Sequence, residues 1–231
     1  MILAELREQV CKANQNLVRY GLVTLTWGNV SAIDRRENLV VIKPSGIAYE
    51  DLKPADMVIV DMDGKKADGD LKPSSDTPTH LALYRAFPQI GGICHTHSLY
   101  ATIFCQAGLE IPCLGTTHAD HFAGTVPITR FLTKIEVQAG YELNTGTVII
   151  ERFAKLDPVS MPAVLVNGHA PFCWGQNAKS AIENSVALEQ VARMAYGSMQ
   201  LNAKIKGLPK YIREKHYKRK HGPDAYYGQN K

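Results

Sequence analysis

The chain has 231 residues, a length that favours one large domain and can bury a core without a disulfide or a metal. Hydrophobic residues make up 45% and charged residues 21%, as in globular proteins, which argues against disorder, collagen-like repeats and coiled coils. No apolar run approaches the roughly 18 residues of a membrane span, and the N-terminus lacks a signal pattern. We therefore expect a single domain over residues 1–231, in the cytoplasm and bound to no membrane.

Cysteine usage and charge distribution bear on the compartment and on partners. The five cysteines form no Cys-x-x-Cys pair, and we expect them to be reduced core residues of a cytoplasmic protein. Eight lysines and arginines lie between Leu201 and Gly222 against one glutamate, which could indicate a nucleic-acid-binding arm. Apolar residues recur there at nearly helical spacing, however, and this pattern favours a packed helix without a nucleic-acid partner.

In the first third of the chain, one helix is followed by strands. Leu3, Leu6, Val10 and Leu17 recur near a period of 3.6, which predicts an amphipathic helix ending near Gly21. Apolar or β-branched runs then predict strands over residues 22–30, 39–42 and 57–60. Because turn residues follow the third run at 63–64, hairpins and antiparallel pairing are expected.

The remaining elements alternate between helix and strand. A helix should begin after Ser74-Ser75-Asp76-Thr77, with Pro78 in its first turn. The further predictions are a strand from 90 to 97, a short helix from 98 to 105, a loop at 116–120, strands at 147–150 and 163–166, and a long helix from 177 to 199. The pattern indicates an α/β protein whose strands lie between helices at both ends.

Two histidines, His95 and His97, are separated by one residue at the end of a predicted strand. Residues i and i+2 of a strand point to the same face about 6.5–7 Å apart, so both imidazoles can reach one ion. His169 ends another apolar run and could enter the same cleft. Three protein ligands and an open position are typical of catalytic zinc, and Asp76 could add an oxygen ligand or a base. The sequence therefore predicts Zn²⁺, or another divalent transition metal with overlapping preferences.

Two short segments are typical of anion-binding loops. Ser74 and Ser75 precede a predicted helix, whose free amides and dipole attract a phosphate. Lys43-Pro44-Ser45-Gly46 ends a strand with a cation, a hydroxyl and a glycine that lets backbone amides approach a ligand. Beside a metal, they predict a phosphorylated metabolite as substrate.

Other polar residues leave alternatives open. Asp120 could be a general acid/base or a turn aspartate. Tyr226 and Tyr227 could be frayed end residues, or reactive groups if another subunit holds that end. We interpret His80 and His221 as surface or packing residues.

Several segments are highly specific when taken together in chain order. They are residues 22–31, 42–46, 73–77, 95–98, 115–120, 215–217, 219–223 and 226–229. They resemble the L-ribulose-5-phosphate 4-epimerases of the class II aldolase/adducin superfamily, over essentially the whole chain. Thr-Thr-His-Ala-Asp at 116–120 and Tyr-Tyr-Gly-Gln at 226–229 resemble the epimerase branch, whereas the histidine pair fits the whole superfamily.

The resemblance implies a role for each matched residue. The implied zinc-site residues are Asp76, His95, His97 and His169. The implied substrate, phosphate and supporting residues are Gly28, Asn29, Lys43, Ser45, Gly46, Ser74, Ser75, Thr116 and His216. Asp120 and Tyr227 would be the acid/base pair, with the tyrosine reaching the site from an adjacent subunit of a cyclic homotetramer.

The resemblance also implies a fold and a reaction. The family fold is a three-layer α/β/α sandwich around a mainly antiparallel central sheet, in agreement with the α/β pattern. The reaction interconverts L-ribulose 5-phosphate and D-xylulose 5-phosphate by zinc-assisted retro-aldol cleavage and re-addition across C3–C4. The expected partner is a small phosphorylated ketopentose. The alternatives are a phosphosugar aldolase of the same superfamily and a non-catalytic adducin-like interaction domain.

The chain departs from the family pattern at two places. The family usually has tyrosine at the position of His121, and His-Ser-His-Gly-Pro where this chain has Asn-Gly-His-Ala-Pro at 167–171. The metal histidine is retained. The methyl group of Ala170 restricts a backbone that glycine leaves free, so we expect the loop conformation to respond there.

Overall fold

A seven-stranded antiparallel sheet lies at the centre of the computed structural model, which describes residues 2–223 and 225–227. The strands are β1 Gly28–Asp34, β2 Leu39–Ile42, β3 Val58–Asp61, β4 Lys66–Asp68, β5 Gly92–Thr96, β6 Ala163–Leu165 and β7 Pro171–Gly175. Their spatial order is β4-β3-β2-β1-β5-β7-β6. Since β5 pairs with β1 on one side and β7 on the other, its end is central in the sheet.

Helices cover both faces of this sheet. They are α1 Ala4–Arg19, α2 Thr77–Ala86, α3 Leu99–Ala107, α4 Thr116–Ala119, α5 Lys134–Arg152, α6 Ala178–Leu201 and α7 Lys210–His221. On one face, Val10 of α1 and Ala181 of α6 share a core with Val41. On the other, Leu83 of α2 and Ile149 of α5 belong to a second core. The three-layer α/β/α sandwich predicted from the sequence is therefore confirmed.

The alternation of side chains along each strand separates the two cores. Val41 of β2 faces the α1 side, while its neighbours Val40 and Ile42 face the α2 side. Such strands are buried on both faces, and their sequences are therefore apolar almost without interruption. The register also pairs His95 with Asn29 across β1 and with Phe172 across β7.

Three local predictions are corrected by the structure. The strand predicted over 22–30 begins only at Gly28, because the chain turns around Leu25, which has a positive φ of 52°. The strand predicted at 147–150 is helical and belongs to α5, whose buried side includes Val148 and Ile149. Short apolar runs fit either period, so the pattern alone could not separate strand from helix. The predicted loop at 116–120 contains the short helix α4.

Other expectations are confirmed or refined. All five cysteines are buried and unpaired. The basic segment forms α7, and His80 is fully buried, so it is a packing residue and not a surface one. Ala170 is buried and has no positive φ, so its backbone conformation does not require glycine. Within the described residues, no helix combines the length and apolarity needed to cross a bilayer. Gly228 and Gln229 of the terminal motif lie outside the described residues.

Candidate active site

Three imidazoles meet at the end of β5. His95 lies in β5, His97 follows the strand, and His169 lies in the turn between β6 and β7. The ring centroids of each pair are 5.0 Å apart. One ligand nitrogen from each ring lies within 4.8 Å of the other two, and no other group of three such residues occurs in the part of the chain that the structure describes. The three predicted histidines therefore share a common centre.

The hydrogen bonds of the rings set which nitrogen faces that centre. Nδ1 of His95 lies 3.0 Å from the carbonyl oxygen of Pro171. A carbonyl only accepts, so Nδ1 carries a proton and Nε2 is the nitrogen left to face the centre, as in metal-binding histidines. Phe172 stacks on the same ring, with centroids 4.2 Å apart, and fixes its plane. Nδ1 of His169 lies 3.2 Å from the hydroxyl of Tyr141.

The protonation state of these rings suits a metal. Burial lowers the pKa of His97 to about 4, and the neighbouring His95 contributes. Burial also lowers the pKa of His169 to about 3. Both rings are therefore neutral at physiological pH, the form that binds a metal. Three imidazoles around one centre fit a divalent transition metal.

Asp76 lies beside the histidines. Its Oδ2 is 3.9 Å from Nε2 of His95 and accepts a hydrogen bond of 2.6 Å from Nδ2 of Asn29. Asp76 precedes α2 but makes no capping bond with its side chain. Burial opposes ionisation, yet His95 and His80 outweigh it, and the pKa of the carboxyl is lowered. An ionised carboxylate therefore lies next to the imidazoles.

Gly28 allows β1 to come close to β5 at this point. Its φ is 138°, and a Cβ atom there would lie 2.8 Å from the carbonyl oxygen of His95. Any side chain would push the two strands apart. The Gly28 carbonyl also accepts a hydrogen bond of 2.8 Å from the hydroxyl of Tyr49. Gly28 therefore has a structural reason to be glycine in addition to its predicted contact with substrate.

The two predicted anion-binding loops lie side by side. The amide of Ser74 donates to the carbonyl of Lys43 and the amide of Ser45 to that of Lys72, both at 3.0 Å. Nδ2 of Asn29 donates to Oγ of Ser74 at 3.0 Å, which connects this wall to the carboxylate of Asp76. Ser45 and Ser75 are exposed. Their hydroxyls are free to meet a ligand on the same side as the histidines.

Lys43 places a buried amine behind these loops. The residue is 2% exposed, and its Nζ donates to the carbonyl of Ile47 at 2.6 Å. The amine also lies 4.9 Å from the ring centre of Tyr49, a cation–π contact. Burial lowers the pKa of Lys43 to about 8. The amine is therefore mostly cationic near neutral pH and loses its charge under mildly alkaline conditions.

One cavity of about 650 Å³ is lined by the three histidines, Asp76 and both loops. The predicted residues in its wall are Gly28, Asn29, Lys43, Ser45, Gly46, Ser74, Ser75, Asp76, His95, His97 and His169. The wall also includes Tyr141 and Glu142, which sequence reasoning missed. They follow Gly140, where the helical backbone of α5 is interrupted at φ 150° and ψ 96°. That glycine was the available signal, but the strand wrongly predicted at 147–150 concealed it.

The other predicted residues, Thr116, Asp120, His216 and Tyr227, do not line this cavity and form a second cluster. The amide of Asp120 donates to the carbonyl of Thr116 at 2.9 Å. Its Oδ1 lies 3.1 Å from Nδ1 of His216, and Arg219 of α7 binds both carboxylate oxygens.

Tyr227 joins this second cluster through Arg219. Its ring centre lies 5.0 Å from the guanidinium carbon of Arg219 and 4.5 Å from Nζ of Lys220. The amide of Tyr227 donates to the carbonyl of Arg219 at 3.1 Å. The side chain remains 60% exposed. The two residues predicted as acid and base therefore lie together in one chain, apart from the histidines of that chain.

Comparison with known proteins identifies the family. A sequence profile described as Class II Aldolase and Adducin N-terminal domain matches residues 8–196. The chain belongs to the class II aldolase and adducin family. Within that family, it is 56% identical over 227 residues to L-ribulose-5-phosphate 4-epimerase UlaF of Salmonella paratyphi B, a match that covers 98% of this chain and 100% of the relative.

Solved structures of L-fuculose 1-phosphate aldolases have the same fold. A structure of L-fuculose 1-phosphate aldolase superimposes with a TM-score of 0.80 at 25% identity, covering 95% of this chain and 97% of that chain. The L-fuculose-1-phosphate aldolase of Thermus thermophilus gives a TM-score of 0.68 at 20% identity, covering 89% and 100%. Together with the epimerase relatives, they confirm the family and fold that the sequence motifs indicated.

Proposed function

We propose that this protein interconverts L-ribulose 5-phosphate and D-xylulose 5-phosphate. One observation carries the proposal: three imidazoles and a carboxylate share a cavity with a pair of anion-binding loops. Such a cavity suits a phosphorylated sugar whose carbonyl end meets a metal. The 56% identity to an L-ribulose-5-phosphate 4-epimerase supports this choice of substrate over other phosphosugars.

The proposed cofactor is Zn²⁺. His95, His97 and His169 would hold it through one nitrogen each, with Asp76 as a further ligand or as a base beside it. When bound, the metal supplies a Lewis acid for the negative charge that develops on the ketone fragment.

The chain's own residues account for retention of the substrate during the reaction. Carbon 4 of the sugar is not acidic, so inversion there requires the C3–C4 bond to break. When the C4 hydroxyl loses its proton, the electron pair of that bond moves to C3, and C4 becomes the aldehyde of glycolaldehyde phosphate. Lys43, Ser45 and Ser74 would hold the phosphate while the aldehyde turns. Re-addition to its other face, with return of the proton, gives the epimer.

Asp120 and Tyr227 are the proposed acid/base pair, one on each face of C4. Because both lie outside the cavity of their own chain, we propose that a neighbouring subunit supplies them. Arg219 contacts both residues, so they would enter that site as one unit. A cyclic homotetramer would place each cavity beside the second cluster of the next copy.

We also propose that the protein acts in the cytoplasm. All five cysteines are buried and unpaired, as expected in a reducing compartment. A thiol count on protein denatured directly from cells, with an alkylating reagent present, should label all five.

Product analysis tests the reaction. The zinc-loaded protein is incubated with L-ribulose 5-phosphate, and the products are identified by NMR and by an enzymatic assay for D-xylulose 5-phosphate. We expect D-xylulose 5-phosphate without accumulation of free aldehyde. Accumulation of glycolaldehyde phosphate would identify an aldolase instead, the activity named for the structure at 25% identity. If L-ribulose 5-phosphate remains unchanged while the metal is bound, the protein is neither this epimerase nor an aldolase for this sugar.

Complementation between variants tests the shared site. His97→Asn removes a proposed ligand, and Tyr227→Phe removes the proposed proton donor of the other cluster. Each variant alone should be inactive or nearly so. If neighbouring copies share a site, tetramers formed from equal amounts of the two should recover about a quarter of wild-type activity, because one site in four combines both intact residues. A mixture as inactive as its components would show that one chain supplies the whole site.

A further inference from the structure

We propose that Tyr141 is a positioning residue for His169, and that its hydroxyl turns the imidazole so that Nε2 faces the metal. This inference rests on the metal site proposed above. It concerns a side chain to which the sequence motifs assign no role.

The contact is direct. The hydroxyl oxygen of Tyr141 lies 3.2 Å from Nδ1 of His169, and the two ring centroids are 5.8 Å apart. His95 has the equivalent bond to the carbonyl of Pro171, at 3.0 Å. In metal sites, a partner on the second ring nitrogen fixes the tautomer and the orientation of the ring. With Nε2 directed at the metal, Nδ1 of His169 would donate to the hydroxyl oxygen of Tyr141, as Nδ1 of His95 does to the carbonyl of Pro171.

His169 depends on this contact more than His95 does. His95 is part of β5 and stacks on Phe172, whereas His169 lies in a turn after Gly168, which has φ 72°. Among the described residues, Tyr141 is the only hydrogen-bond partner of the His169 ring. The torsion between Cβ and an imidazole ring is broad, so the ring orientation needs an external restraint.

The backbone around Tyr141 is built to present this side chain. Gly140 has φ 150°, which favours glycine, and it interrupts α5 immediately before Tyr141. Asn144 bridges the interruption, because its Nδ2 donates to the carbonyls of Glu136 and Gly140 at 2.9 and 3.0 Å. On the other side, Oγ1 of Thr79 donates to the carbonyl of Glu142 at 2.5 Å. These bonds hold the helix interruption that directs Tyr141 into the cavity.

The test is the affinity of Tyr141→Phe for Zn²⁺, measured by competition with a chromophoric chelator. We expect one metal per chain bound at least about tenfold more weakly than by the wild type, the lower end for loss of such a partner. The absorption bands of the Co²⁺-substituted variant should also shift, because the field at the metal changes when the ring is free to turn. The melting temperature of the metal-free variant should equal that of the wild type.

Tyr196→Phe is the matched control. Tyr196 is 40% exposed against 37% for Tyr141, and its ring packs on Tyr100, away from the histidines. It should keep wild-type affinity and the wild-type Co²⁺ spectrum. If Tyr141→Phe also keeps both, the inference is wrong while the metal site stands. If the wild type itself binds no metal, whereas the fold is intact, the proposed function fails at the same time.

Discussion

Arg219 binds both carboxylate oxygens of Asp120, with Nε at 2.9 Å from Oδ1 and Nη2 at 2.5 Å from Oδ2. This pair connects the C-terminal helix α7 to the residue after α4. Burial opposes the ionised form of Asp120, but the hydrogen bonds from Arg219 and His216 outweigh it and lower the pKa of the carboxyl. Asp120 is therefore ionised at neutral pH and able to accept a proton.

Replacing Arg219 by lysine should impair turnover more than folding. Lysine keeps the charge but cannot form the two parallel bonds, so Asp120 and Tyr227 lose their common support. We expect kcat to fall at least about tenfold, the equivalent of one charged hydrogen bond. Because the pKa of Asp120 rises when those bonds are lost, the acid limb of the pH profile of kcat should move to higher pH. Steady-state kinetics between about pH 4 and 9 would measure both effects.

Arg213→Lys is the control for that substitution. Arg213 lies on the same helix without a bond to Asp120. Its pH profile should match that of the wild type. If the pH profile of Arg219→Lys also matches that of the wild type, Arg219 does not support the proposed acid/base residues.

Loss of one histidine should remove the metal without unfolding the chain. His97→Asn removes one of the three nitrogen ligands at the common centre, and we expect zinc to bind weakly enough for dialysis to remove it. The two cores on either side of the sheet do not include this residue, so we expect cooperative unfolding to persist. Elemental analysis after dialysis should give one zinc per chain for the wild type and for the control His121→Asn. Stoichiometric zinc in His97→Asn would contradict the site.

The sequence could predict those parts of the site that local pattern determines. His95 lies in a buried strand, His97 follows it, and Ser74 precedes a helix, so their positions follow from the elements themselves. His169 lies in the turn after β6, another strand of the same sheet, so its approach to the other two histidines could also be predicted.

Features set by contacts distant in sequence could not be predicted. Tyr141 reaches the cavity only because Gly140 interrupts α5, and that interruption depends on Thr79 of another helix. The association of Asp120 with Arg219 spans 99 positions and has no periodic signal. The same limit explains the strand wrongly predicted at 147–150, where burial against α2 selects a helix for an apolar run that suits either structure.

Substrate binding should weaken at alkaline pH through Lys43. Its pKa is lowered to about 8 by burial, so the amine loses its proton and its attraction for phosphate as the pH rises above about 8. We expect KM for the phosphorylated substrate to rise across that range while kcat changes less, because the phosphate does not react. Lys43→Met should raise KM at pH 7 by at least about tenfold, the effect of losing one charged hydrogen bond.

Two comparisons test whether the amine of Lys43 causes the rise of KM with pH. In Lys43→Met, the remaining rise of KM between pH 7 and 9 should be smaller than in the wild type, since the titrating amine is gone. Lys53→Met, at an exposed lysine outside the cavity, should reproduce wild-type behaviour. An unchanged pH dependence in Lys43→Met would assign the effect to another group.

His80 forms a buried polar chain beneath the site. Its Nδ1 lies 2.7 Å from Oγ of Ser31, which in turn lies 2.8 Å from the hydroxyl of Tyr84. Burial lowers the pKa of His80 from 6.5 to about 3. Between these two values the unfolded chain binds a proton that the folded chain does not bind. The stability contributed by neutral His80 is therefore complete above about pH 6.5 and is lost progressively as the pH falls.

The pH dependence of unfolding in metal-free protein should reveal this proton. In urea titrations at pH 7.5 and 5.5, the wild type should lose more free energy of unfolding than His80→Gln, by about 1.4 kcal/mol, the value of one proton over one pH unit. Glutamine can still bond to Ser31, and other buried histidines such as His118 contribute equally to both proteins. Equal losses in the wild type and in His80→Gln would mean that His80 takes up protons equally in the folded and the unfolded chain, so that burial does not lower its pKa.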